Sequence, residues 1–142
     1  MIALLDANIL IALFDASRVH HQQAHQWLLA NRTQGWATSP LTQNACIRII
    51  SQPSYPNRLP LGEITRRLQS AITAGDHHFW PDTVTLTDSA LFDLSQVLTP
   101  RHLTDIYLLG LAAQHDGCLV TFDKGIPASA VLKAESRHLV VL

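Results

Sequence analysis

At 142 residues, with 47% hydrophobic and only 15% charged residues, the chain reads as one globular domain, residues 1–142, with a sizeable core; that composition excludes disorder. A formal net charge of −1 excludes a global basic field for nucleic acid, so any such site must rest on local charge or on a metal. Cys46 and Cys118 lie in apolar runs without a CxxC partner, which reads as buried reduced thiols of a cytoplasmic protein.

The opening stretch, Met1 to Phe14, is almost wholly apolar apart from Asp6. It lacks a basic n-region and an A-x-A cleavage site, so no signal peptide is expected, and no run of the chain is long and uncharged enough to span a membrane. Ile2 to Leu5 predict a short buried strand and Ala7 to Phe14 an apolar helix. Asp6 then stands at the carboxyl end of a strand, where open α/β sheets place their binding sites. It equally suits the N-cap of the helix that follows. A carboxylate among leucines and isoleucines is costly unless its charge is compensated.

His20 to Asn31 carries Ala24, Trp27, Leu28 and Leu29 at helical spacing and predicts an amphipathic helix. His21 and His25 share a face, but without an HExxH pattern or a nearby cysteine the reading is a polar outer surface. Gly35 to Ser39 predicts a second strand. Ser39-Pro40 is a helix start, with Ser at the cap and Pro at the first helical position. That helix runs from Leu41 to about Ile50, with Leu41, Ala45 and Ile49 as its buried stripe. Asn44 and Arg48 share the polar strip beside it, either as solvated surface or as part of a site.

Gln52 to Pro60 is a loop with three prolines. Leu61 to Ala74 predicts a helix that ends near Gly75; its Arg66-Arg67 pair reads as a solvated face. His77 to Pro81 predicts a strand, with Val84 to Leu86 as the weaker alternative. Thr87 to Leu98 predicts a further helix, with Asp88 and Asp93 as a cap and a surface charge. Thr104 to Ala113 is a helix apolar almost all round, hence buried. It is opened by Thr104 or Asp105, and Asp116-Gly117 closes it. Cys118 to Asp123 predicts a buried strand ending in a carboxylate, and His138 to Leu142 a final strand.

Strict β–α alternation predicts a parallel sheet with right-handed crossovers. Asp6, Asp105 and Asp123 then converge on one sheet edge, where mutual repulsion raises at least one pKa. A divalent cation resolves that conflict, and Mg²⁺ prefers such oxygen ligands together with a substrate phosphate.

Four sets of residues resemble a known family. They are Leu4-Leu5-Asp6-Ala7-Asn8-Ile9-Leu10 with His20-His21 and Ala24-His25-Gln26-Trp27-Leu28; Ser39-Pro40-Leu41-Thr42-Gln43-Asn44 with Arg48-Ile49; Thr104-Asp105-Ile106-Tyr107; and Val120-Thr121-Phe122-Asp123. Together, in this order, they are similar to PIN-domain ribonucleases of the VapC toxin type. The resemblance implies an α/β/α sandwich around a central parallel sheet of about five strands. It implies cleavage of RNA phosphodiesters dependent on Mg²⁺, or on Mn²⁺ as a substitute. It also implies a VapB-like antitoxin, a homodimer, and contact with DNA only through that antitoxin. Asp6, Asp105 and Asp123 match the acidic metal positions, and Asn8 and Thr121 match supporting polar ones. The family's usual fourth acid, a glutamate in the helix after the second strand, is missing. Gln43 is its best match and Asn44 the alternative. An amide can still donate an oxygen, but it brings no charge. A different reading is therefore a catalytically inactive PIN scaffold that binds RNA or a protein. A doubly wound nucleotide binder is argued against by the absence of GxGxxG and GxxxxGK[ST] motifs.

Overall fold

The computed structural model describes residues 1–142. Strands β1 (Ala3–Leu5), β2 (Trp36–Thr38), β3 (His77–Phe79), β4 (Cys118–Thr121) and β5 (Leu139–Val141) form one sheet in the order β3-β2-β1-β4-β5. Every neighbouring pair is parallel. Helices α1 (Ala7–Phe14), α2 (His21–Asn31), α3 (Pro40–Ser51), α4 (Leu61–Ile72) and α5 (Leu103–Gln114) connect the strands. The result is the parallel sheet expected from the alternation, with the five strands and the α/β/α sandwich that the family resemblance implies.

The three central strands, β1, β2 and β4, are short and buried on both faces, so their sequences are nearly continuous apolar runs, whereas the edge strands β3 and β5 are partly exposed. Alternation still sorts them. Ala3, Leu5, Trp36, Cys118 and Val120 join the core cluster beneath α1 to α4. Leu4, Ala37 and Leu119 join the opposite cluster beneath α5. Both cysteines are buried and unpaired. No helix is long and apolar enough to cross a membrane.

The order in which strands are added across the sheet reverses at β1. The chain steps outward through β2 and β3, then returns to place β4 on the other side of β1. In parallel sheets a crevice opens at the carboxyl ends of the strands flanking such a switch point. Here those ends are Leu5-Asp6 and Thr121, brought level by the Leu5–Val120 register and by the Asp6 amide donating to the Val120 carbonyl at 3.0 Å.

Two expectations fail. The buried stripe of α3 is Thr42, Cys46 and Ile50, not Leu41, Ala45 and Ile49, which are only half-buried. The cause is the helix cap. Thr42 Oγ1 accepts from the Ser39 amide at 3.0 Å, and Ser39 Oγ accepts from the Thr42 amide at 3.3 Å. This reciprocal pair turns Thr42 inward and sets the phase one residue later than hydrophobicity suggests. The segment 87–98 is not a helix. Its backbone pairs with residues 130–132 instead: Asp93 donates to Ala130 and Leu132 donates to Leu91, around an antiparallel bridge between Phe92 and Val131. Asp88 and Asp93 each accept from an amide two residues on, at Ala90 and Ser95, a local bond that competes with helix. Only Leu94–Gln96 forms a single 3₁₀ turn.

Phe92 also explains a glycine in the middle of α5. A Cβ on Gly110 would collide with the Phe92 ring, so this helix accepts glycine's poor propensity in exchange for close packing. Gly110→Ala should therefore destabilise the chain by about 1–2 kcal/mol net, because overpacking outweighs the propensity gain. In urea unfolding, pairing Gly110→Ala with Phe92→Leu should cost less than the sum of the two single substitutions.

Candidate metal centre

Asp6 is the cap of α1 and a member of the candidate site. Its Oδ1 accepts from the Ala7 amide at 2.7 Å and so opens α1, while Oδ2 accepts from the Thr121 hydroxyl at 2.7 Å. Thr121 is fully buried, and its single proton is committed to Asp6. Its oxygen must therefore act as acceptor towards Asn8 Nδ2 at 3.3 Å and the Asp123 amide at 3.1 Å. That polarity also settles the orientation of the Asn8 amide, whose Oδ1 is shielded from solvent without a partner. One hydroxyl thus ties together the ends of β1 and β4, the first turn of α1 and the residue Asp123.

Asp123 follows β4 by two residues, and its Oδ1 accepts from the Gly125 amide at 2.8 Å. Its Oδ2 faces His102 Nδ1 at 3.8 Å, and Asp105 Oδ2 lies 3.5 Å from the same nitrogen. Asp105 sits in the first turn of α5, the position favoured for a carboxylate by the helix dipole. One donor atom from each of His102, Asp105 and Asp123 lies within 4.8 Å of the others. His102 Nδ1 is buried and lacks a hydrogen-bond partner.

These carboxylates oppose one another. Burial is the main force raising the Asp6 carboxyl; the Thr121 and Ala7 bonds counter it, and the Asp123 charge adds to it. Asp105 is pushed up to about 6 by burial, then by the charges of Asp6 and Asp123, against a smaller lowering by His102. No Lys or Arg pairs with any of the three. A donor set of hard carboxylate oxygens, crowded and lacking a cation of the chain's own, fits a divalent ion. The partnerless imidazole nitrogen beside them suits an ion of the manganese type as well.

The structure thus brings Asp6, Asp105, Asp123, Asn8 and Thr121 together. It does not bring the α3 candidates into this hydrogen-bond network. Gln43 Nε2 donates to Thr38 Oγ1 at 2.8 Å, at the end of β2, and Asn44 and Arg48 are exposed on the outer face of α3. His21 and His25 have ring centroids 4.7 Å apart, but His21 Nδ1 is occupied by the Ala12 carbonyl at 2.6 Å. Sequence reading missed His102. Its signal was its place three residues before Asp105, one helical turn away, in the 3₁₀ turn Pro100–His102.

Asp105 carries a pH signature. Its folded value of about 6 lies above the ordinary 3.8, so the folded chain holds this proton more tightly than the unfolded chain. In metal-free protein, stability falls as pH rises from about 4 to about 6, and the penalty then persists at higher pH. Asp105→Asn should stabilise the metal-free protein by about 1–3 kcal/mol at about pH 8 and by almost nothing near pH 4. Urea unfolding at the two pH values measures the difference.

The family model described as PIN domain matches residues 3–132. The chain is 42% identical to Ribonuclease VapC44 of Mycobacterium tuberculosis over 142 residues, the whole of both chains. It is 40% identical to Ribonuclease VapC39 of the same organism over 131 residues, 92% of this chain and 94% of that one. The solved structure of VapBC2 from Rickettsia felis, bound to a promoter DNA fragment, shares the fold with a TM-score of 0.67 at 13% identity, covering 100% of this chain and 98% of that one. By the family match over residues 3–132 and the identity to full-length relatives, the chain belongs to the PIN domain family, among its VapC members.

Proposed function

We propose that the protein is a metal-dependent endoribonuclease and the toxin of a VapBC-type toxin–antitoxin pair. The observation that carries this is the convergence of Asp6, Asp105 and Asp123 without a balancing cation, in a chain whose full-length relatives are named ribonucleases. Asp6, Asp105 and Asp123 would hold Mg²⁺ or Mn²⁺, which supplies positive charge for the phosphodiester and activates water. The chain's own groups position that donor set. Thr121 orients Asp6 Oδ2, the Ala7 amide orients Asp6 Oδ1, and Gly125 fixes Asp123 Oδ1. His102 Nδ1 lies beside that donor set, 3.5 Å from Asp105 Oδ2 and 3.8 Å from Asp123 Oδ2.

A cognate VapB-like antitoxin is the partner this reading implies, with DNA reached only through it; the shared fold with a VapBC2 structure supports it. A homodimer is supported by the groove beside the β5 edge, where Leu132 and Val141 leave apolar surface exposed. The reading places the protein in the cytoplasm with its RNA substrate. One observation favours the inactive-scaffold alternative: Gln43, the best match to the family's missing acid with Asn44 as the alternative, is an uncharged amide whose Nε2 donates to Thr38 Oγ1.

Cleavage separates the two readings. RNA should be cut with Mg²⁺ or Mn²⁺ and left intact with chelator. Asp6→Asn can keep the helix cap through its one amide oxygen and should lower the cleavage rate by at least about a hundredfold, as expected for lost electrostatic stabilisation, with little loss of thermal stability. A folded Asp6→Asn protein that cleaves normally would overturn the assignment.

Gln43→Glu should lower the metal concentration needed for half-maximal cleavage, because it adds a charge near the acidic edge. It should also destabilise the metal-free protein through repulsion and increase the stabilisation gained on adding metal. Thermal unfolding with and without Mn²⁺ reads both effects. Unchanged metal dependence here and in Asn44→Glu would show that α3 does not serve the site.

A further inference from the structure

His21 and His25 lie four residues apart at the start of α2, so their side chains are neighbours on one helix face. Their ring centroids are 4.7 Å apart, with planes inclined by 60°. The pair shares no residue with the acid cluster. His20, next in the chain, turns its ring to Phe122 and takes no part.

The hydrogen bonds fix what each ring can offer. His21 Nδ1 lies 2.6 Å from the Ala12 carbonyl oxygen. A carbonyl only accepts, so Nδ1 carries the proton, and in the neutral ring Nε2 is left with a bare lone pair. Folding accounts for this contact: Ala12 is in the last turn of α1, where carbonyls lack helical partners. Folding does not account for His25. It is exposed, and its ring nitrogens make no hydrogen bond within the chain, yet its ring sits against that of His21.

A ring that donates one N–H to a backbone carbonyl and presents its other nitrogen has the usual form of a metal-ligating histidine. The carbonyl fixes the tautomer and the orientation and raises the basicity of the free nitrogen. The spacing agrees. Two imidazoles on one tetrahedral ion, with metal–nitrogen bonds of about 2.0–2.1 Å, hold their centroids about 5 Å apart. Only a small rotation of exposed His25 separates the observed pair from that arrangement.

We propose that His21 Nε2 and a ring nitrogen of His25 bind one borderline transition cation of the zinc class, with water completing its coordination. The ion class follows from the ligands: neutral imidazole suits Zn²⁺, Ni²⁺ and Cu²⁺, whereas Mg²⁺ prefers oxygen. The consequence is a clamp. His21 is tied to Ala12, so an ion shared with His25 fastens the start of α2 to the end of α1. That ion braces the helix which Asp6 opens without touching the acids, and the site is independent of whether the chain cleaves RNA.

The test adds Zn²⁺ to the full-length chain in excess Mg²⁺ and follows the ring nitrogens of each histidine by ¹H–¹⁵N nuclear magnetic resonance. His21 Nε2 and one nitrogen of His25 should shift together, with a single midpoint, while His21 Nδ1 stays protonated. Excess Mg²⁺ should not suppress the shift. His25→Ala leaves the His21–Ala12 contact in place, so the chain should fold. It should weaken the His21 response at least about tenfold, since a lost ligand costs no less than a lost outer partner. Zn²⁺ should also raise the unfolding temperature of the wild-type chain by mass action, and raise that of His25→Ala less at the same concentration. Separate midpoints for His21 and His25, a His21 midpoint unchanged in His25→Ala, or a response confined to His102 would overturn the proposal. The last outcome would leave the acid cluster as the place where the ion binds.

Discussion

The parallel pairing of β1 with β4 is the constraint on which the rest of the site depends. The two strands are distant in sequence, and only their register sets Asp6 level with Thr121. Once they are level, one buried hydroxyl can donate to Asp6 while accepting from Asn8 and from the Asp123 backbone. A slip of one residue would turn every strand side chain to the other face and remove the bridge. The apolar alternation that prevents such a slip, with Leu5 and Val120 on one face and Leu4 and Leu119 on the other, therefore also aligns the acids.

The molecule contains two kinds of buried carboxylate, and their surroundings distinguish them. Asp15 accepts from Tyr55, Asn57 and Ser17; burial pushes its carboxyl up, but these bonds outweigh it and hold it low. It is a fastener between two loops. Asp6 and Asp105 are raised instead, each by burial and by like charge from the cluster. Burial alone identifies neither role. The difference is whether donors of the chain itself satisfy the charge, and around Asp105 they do not. A fold carrying such a repulsive cluster sacrifices metal-free stability, which the two apolar clusters on either side of the sheet offset.

On the proposed reading, attraction of a polyanion to a chain of net charge −1 would be local and would depend on a bound ion, not on a basic surface.

The elements nearest the site were the most legible in the sequence. Short, wholly buried strands are continuous apolar runs, so a carboxylate at their ends stands out; Asp6 and Asp123 were visible for that reason, and Asp105 because an acid opened an otherwise apolar helix. The β–α alternation determined the parallel sheet through chain connectivity alone. What the sequence did not determine were features set by partners far along the chain. The segment 87–98 has helical spacing, yet its backbone bonds to residues 130–132, and tertiary pairing overrode local pattern. The phase of α3 was set by the Ser39–Thr42 cap, in which polar residues face inward because they satisfy each other. His102 lay one turn before Asp105, but its approach to Asp123 arises only when separate segments meet at the β1–β4 switch point. Local periodicity could place the acids at element ends; only the register of non-adjacent strands could make them neighbours, because that proximity is a property of the folded sheet and not of any stretch of chain.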